Sequence, residues 1–189
     1  MQDATPVRPQ RRCIAAVDAA LRRLASLIES TDALTYRQSI PERHIASIGE
    51  HARHIIDMAK ALHTGCHSGT VDYSARKRGS LLEQRRDLAL AEVFRLRLAL
   101  LDLHDVASFK ELEIRQDVEF SADPVLHAVS TFDREAMFVA SHTVHHLAMM
   151  GVIARELGVA IAANEGLAPG TRLARLCSAD SDARPRGDA

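Results

Sequence analysis

Residues 64–80, TGCHSGTVDYSARKRGS, decide the fold. The stretch is polar, carries Gly65, Gly69 and Gly79, and separates two segments with helical periodicity. Adjacent antiparallel helices need only short loops, so a connection this long implies that the helices on either side run parallel. The helix before it covers residues 42–63, entered through Pro41, with Ile48, His51, Ile55, Met58 and Leu62 as its inward stripe. Gly65 and Gly69 read as its terminators. The helix after it covers 81–103, and Leu82, Leu88, Leu90, Ala91, Phe94, Leu98 and Leu101 give it a wide apolar face.

Further out, Ile14, Val17, Leu21, Leu24 and Ile28 mark an amphipathic helix over 11–29, joined to the next by a connection at 30–42. Residues 111–120 alternate with a period near two and 125–129 return as a partner, which predicts a small hairpin turning at 121–124. Ser130 and Asp133 supply a start signal for a last helix over 132–157, and Gly158 stops it. The expected fold is all-α: an up-down-down-up four-helix bundle with a long crossover between its second and third helices and the hairpin before the last. Residues 1–10 read as a flexible arm and 11–176 as the domain. Residues 177–189, rich in Asp, Arg, Ser and Gly, read as a disordered tail.

Composition agrees with helices. Aromatics are only 4% of the 189 residues, with no Trp, and Ala, Leu and Arg are frequent, which disfavours sheets. A formal net charge of -1 gives no basic field for nucleic acid. No uninterrupted apolar run is long enough for a membrane span, and the first residues lack the pattern of a secretory signal. Cys13, Cys66 and Cys177 lie far apart with no Cys-x-x-Cys, against a disulfide framework or a cysteine-based zinc site. The expectation is a cytoplasmic protein that engages neither nucleic acid nor membrane, with Cys66 a free loop thiol.

Histidine is the outlier, at ten residues, five of them in two clusters. In the last helix, His142 and His146 are four apart, so both imidazoles project from one face, one turn above the other. That spacing suits adjacent positions around one metal ion. Residue 143 is Thr, so the general-base Glu of a His-Glu-x-x-His site is missing. In the second helix, either His51 or His54 could supply a third ligand. Three imidazoles with open positions is the composition of catalytic rather than structural centres for zinc, nickel or iron. His44, His63, His67, His104 and His127 read as ordinary surface or packing residues. Burying unpartnered imidazoles costs about 1–3 kcal/mol per unsatisfied group, which argues that the mid-helix clusters have a common partner.

Two stretches resemble the DinB-like (YfiT-like) metal-binding bundles: SIGEHARHIID at 47–57 and REAMFVASHTVHH at 134–146. DYSAR at 72–76 and EGLAPGT at 165–171 look like a sub-branch of that family, so the resemblance spans roughly residues 11–172. It implies the up-down-down-up bundle and a metal triad of His54, His142 and His146. By periodicity His51, not His54, is central in the inward stripe. Glu50 and Asp57 flank His54 and could orient its ring. His51 then reads as an alternative ligand or a partner of a ligand, and His145 as supporting or packing. Asp72, Tyr73 and Arg76 read either as a cover that meets an anionic or polar substrate or as a loop anchored by Tyr73. Arg134 and Glu135 read as a solvated face or an ion pair.

The resemblance implies one of two functions. One is a metal-dependent transferase that activates a low-molecular-weight thiol, or water, at the open three-His site. The other is a non-catalytic metal-binding bundle with a stress-related or interaction role. A small-molecule substrate and a homodimer are the partners expected.

Overall fold

A computed structural model describes residues 9–43, 45–105, 110–118 and 125–162, together with 167, 170–171 and 174. The first eight residues of the arm, His44, the 121–124 turn, most of 165–171 and the tail at 177–189 lie outside the described residues, as does the side chain of His104.

The all-α expectation is overturned. Among the described residues the chain is an α/β protein with six α-helices and a three-stranded mixed sheet, not a four-helix bundle with an appended hairpin. The helices are α1 (Pro9–Glu29), α2 (Ala33–Arg37), α3 (Ile48–Ser68), α4 (Leu81–Gln84), α5 (Arg86–Leu101) and α6 (Phe132–Glu156). The strands are β1 (Thr70–Asp72), β2 (Glu111–Asp117) and β3 (Val125–Thr131). Part of the polar crossover is β1, which pairs in parallel with β2, Val71 opposite Ile114. The expected hairpin is present as β2 and β3, antiparallel with Glu111 opposite Thr131, but β2 is the centre of the sheet rather than half of a pair. Three residues are too few for a period-two signal to show in the sequence.

Gly65 does not terminate α3. The helix runs through it to Ser68, and Gly69 closes it at φ 87°, a left-handed conformation that glycine adopts without penalty. A Cβ at Gly65 would lie 2.3 Å from Val71 Cγ2, so its missing side chain is what lets β1 lie on the helix. Cys66, the expected loop thiol, is buried in this last turn, and burial pushes its pKa up to about 11.

The start of α3 also differs. Pro41 opens a short 3-10 turn (Pro41–Arg43), and the helix begins at Ile48 under a capping box. Ser47 Oγ accepts from Glu50 N at 3.1 Å and Glu50 Oε2 accepts from Ser47 N at 2.7 Å. The expected connection at 30–42 holds α2, capped by Asp32, whose carboxylate accepts from the amides of Leu34 and Thr35. Its Tyr36 is fully buried and donates to Leu82 O at 2.7 Å, which ties α2 to α4.

The expected third helix breaks at Arg85, whose extended φ of −114° and ψ of 96° separate α4 from α5. Arg86 then donates to the C-terminal carbonyls of α1, Ile28 O at 2.9 Å and Glu29 O at 3.1 Å. The anticipated inward face of α5 is largely outward: Leu88, Phe94, Leu98 and Leu101 are exposed, while Ala89, Val93, Leu96 and Leu100 are buried. α1 and α3 each pack against both α5 and α6, and the core fills the space between them. α6 is long and apolar enough to cross a membrane by length and composition, but it buries Val139, Leu147 and Met150 within the protein.

Candidate metal centre

α3 and α6 lie side by side, and each turns a pair of histidines to the contact. His51 and His54 come from α3; His142 and His146, one turn apart, come from α6. His54 Nε2 lies 2.8 Å from His142 Nε2, and His142 Nε2 lies 3.1 Å from His146 Nε2. Ligand nitrogens of all three fall within 4.8 Å of one another, so the group could hold a metal ion.

The donor set fits a cation. Ligand nitrogens about 2.0–2.1 Å from zinc stand about 2.8–3.4 Å apart at angles between right and tetrahedral, close to the separations seen. Hydrogen bonding alone serves the cluster poorly, because His142 Nε2 faces two other nitrogens and a single ring proton bridges only one such contact. The rings are also neutral at ordinary pH. Burial, reinforced by the neighbouring His142, Arg76 and Arg53, lowers His54 to about 4. Burial, with His54 and His142 beside it, lowers His146 to about 3. His142 is lowered by burial, then by His145 and Arg76. Neutral imidazoles keep the lone pairs that a metal requires.

His51 is buried, more so than the other three, and does not join the trio. Its Nδ1 meets His146 Nδ1 at 2.9 Å, on the side of the His146 ring away from the cluster. The periodicity that placed His51 at the centre of the stripe was therefore right about its burial, and His54 reaches the cluster from the edge of that stripe. Glu50 and Asp57 do not orient His54 as anticipated. Glu50 is used in the capping box, and Asp57 accepts from Arg53 NH1 at 2.6 Å. His145 is exposed, with its ring 5.4 Å from that of His146. His63 and His67 meet each other at 5.2 Å between centroids, and His127 pairs with Glu113 on the sheet.

The crossover residues divide. Arg76 lines a cavity of about 360 Å³ whose wall includes His51, His54 and His146. Asp72 faces a different depression, with Lys60 and Lys77, and its Oδ1 accepts the amides of Ser74 and Ala75. Tyr73 is buried and is an anchor: its hydroxyl donates to Glu135 Oε2 at 2.9 Å, and its ring meets Phe138, which stacks on His142. Glu135, for which a solvated face was weighed, is 1% exposed. It also accepts from Ser130 Oγ at 2.6 Å and Arg134 NH1 at 3.0 Å. Ser130 is thus spent on Glu135, and Thr131, at the N-cap of α6, makes no side-chain cap bond. Sequence reasoning missed Arg53, Arg78 and Glu83 as cavity residues. The basic run Arg76-Lys77-Arg78 was a visible signal; Arg53 and Glu83 pair across 30 positions and gave none.

No family model, curated protein or solved structure matches this chain. The likeness of the two histidine stretches to the DinB-like family stands as a resemblance, and the class of protein has to be read from the site.

Proposed function

We propose that the protein is a divalent-metal protein in which His54, His142 and His146 are the ligands, and that it is a transferase activating a low-molecular-weight thiol at that centre. The observation that carries this reading is the convergence of three neutral imidazole nitrogens, two of them from His54 and His146 on the wall of a cavity. The resemblance of residues 47–57 and 134–146 to DinB-like proteins supports it. With three protein ligands, zinc, nickel or iron would keep open positions and supply Lewis acidity, lowering the pKa of a thiol or water held there.

The chain's own residues prepare the centre. With its Nε2 lone pair given to a metal, His146 would carry its proton on Nδ1 and donate it to His51 Nδ1, 2.9 Å away. His51 would therefore fix the tautomer and ring plane of His146. Phe138 stacks on His142 and limits its rotation from the other side. The carboxylates of the cavity are already engaged, Glu50 in the cap and Glu83 with Arg53, which leaves neither free as a general base. A thiol, which ionises far more readily than water, is the nucleophile best suited to such a cavity. That both wall carboxylates among the described residues are engaged is also what the second reading, a non-catalytic metal-binding protein, expects.

Elemental analysis of untagged protein tests the centre. The wild-type chain is expected to retain near-stoichiometric metal, and a His142→Ala, His146→Ala double variant to lose it. Full metal content in the double variant would remove these residues as ligands. Thiol conjugation to a panel of electrophiles separates the two readings: turnover that tracks metal content supports a transferase, and stoichiometric metal without turnover supports the binding role.

A further inference from the structure

The cations on the wall of the histidine cavity are not all paired with carboxylates. Glu50 is held in the capping box. Arg53, 7% exposed, lies 2.7 Å from Glu83 through its Nε and 2.6 Å from Asp57 through NH1, so it is compensated. Two guanidiniums remain, those of Arg76 and Arg78, both on the cavity wall. Arg76 donates from Nε to Tyr73 O at 3.3 Å, leaving its terminal nitrogens open among the described residues, and Arg78 has no carboxylate partner among them.

These arginines sit on a segment fixed at both ends. At one end Asp72 folds the chain through the amides of Ser74 and Ala75, and Tyr73 is pinned to Glu135 on α6. At the other, Gly79 adopts φ 71° and donates its amide to Glu83 Oε1 at 3.0 Å, the carboxylate that also pairs with Arg53. The segment thus holds its cations over the cavity at little further cost in chain entropy. Arg76 shares the cavity wall with His54 and His146, which places it beside the trio. Arginine presents a planar fork of donors that matches carboxylate and phosphate oxygens, where lysine offers a point charge.

We propose that Arg76 and Arg78 form an oxyanion subsite that holds the carboxylate or phosphate group of a small anionic substrate in the histidine cavity. The role in turnover rests on the metal centre proposed above; the anion binding itself requires only the arginines. The substrate class is a small organic acid or phosphate ester whose reacting atom lies beside the histidines while its anionic group is clamped by the crossover.

Isothermal titration of the full chain, as purified and after chelator treatment, with malonate and with inorganic phosphate, tests this. Both probes should bind in either state, and their relative affinities tell which oxyanion the fork prefers. An Arg76→Gln, Arg78→Gln double variant should bind at least about tenfold more weakly. A double Lys variant should recover part of the loss. The exposed Arg78→Gln single variant, which removes no buried contact, should weaken binding several-fold even where the double variant folds poorly. Lys77→Gln, which removes the same charge but borders the other depression, should leave affinity unchanged. Equal binding by wild type and the double variant, no binding by wild type, or an equal loss in Lys77→Gln would overturn the subsite. Metal content on the same samples separates the readings: arginine-dependent anion binding without metal uptake sinks the metal centre alone, and metal uptake without anion binding sinks the subsite alone.

Discussion

α3 and α5 are neighbours in the core, yet they are held by different physics. α3 has 21 residues, a reciprocal cap at its start, a left-handed glycine at its end, and contacts with α1, α2, α4, α5, α6 and β1. α5 has 16, starts at the helix interruption at Arg85 with no side-chain cap, and buries only Ala89, Val93, Leu96 and Leu100. Leucines surround α5, so its opposite side exposes Phe94 and Leu98. Of these two helices, the one that carries a candidate ligand, His54, is therefore the one fixed at both ends and enclosed by six elements. A site that must hold nitrogens within tenths of an ångström needs such support, whereas α5 need only fill volume.

The largest contrast should come from two leucines on α5. Leu96 is fully buried and Leu98 is 67% exposed. Leu96→Ala should cost about 2–5 kcal/mol through lost transfer energy and a cavity. Leu98→Ala should stay within about 0.5 kcal/mol. Urea denaturation of both variants measures the difference. A large loss at Leu98 would mean that this side of α5 is covered in solution, as in the homodimer the sequence suggested, and the contrast with α3 would collapse.

A smaller effect should distinguish the helices by pH. The folded pKa values of His54 and His146 lie below the value of about 6.5 expected in the unfolded chain. The unfolded state then binds more protons between that value and about 4, so stability is full above pH 6.5 and falls as the solution is acidified. In chelator, the unfolding free energy from urea curves should drop between pH 7 and pH 5 by on the order of 1–2 kcal/mol, screening of these half-buried rings included. A His54→Asn, His146→Asn variant should show a flatter profile over that window. An unchanged slope in the variant would mean that the acid sensitivity originates outside the α3–α6 contact.

What could be read from sequence follows the range of each interaction. The i, i+4 spacing of His142 and His146 is a local fact of helix geometry, and the resemblance in residues 47–57 pointed to His54; the structure brings all three together. The inward stripe of α3 was legible because polar residues separate its apolar ones. α5 offered leucines on every side, so periodicity could not choose a face, and the choice was made by α1 and α3 packing against it. β1 was hidden because Thr70-Val71-Asp72 acquires strand geometry only through pairing with β2, more than forty positions away. Glu135 was similarly hidden: burial of that carboxylate depends on Tyr73 and Ser130, which arrive from the crossover and from β3.

The smallest effect tests whether the fixing of α3 reaches its chemistry. Ser47→Ala removes one half of the capping box and should cost about 1 kcal/mol, visible as a lower urea midpoint. It also frees the backbone amide of Glu50, which donates to Ser47 Oγ, at the edge of the histidine cavity. The backbone amide of Ser47 still holds Glu50 Oε2 at 2.7 Å, and His54 sits two turns into the helix, beyond the fraying end. Metal content should therefore remain at the wild-type level while stability falls. If metal is lost in step with the midpoint, the cap and the three nitrogens form one cooperative unit, and the rigidity of α3 is part of the site itself.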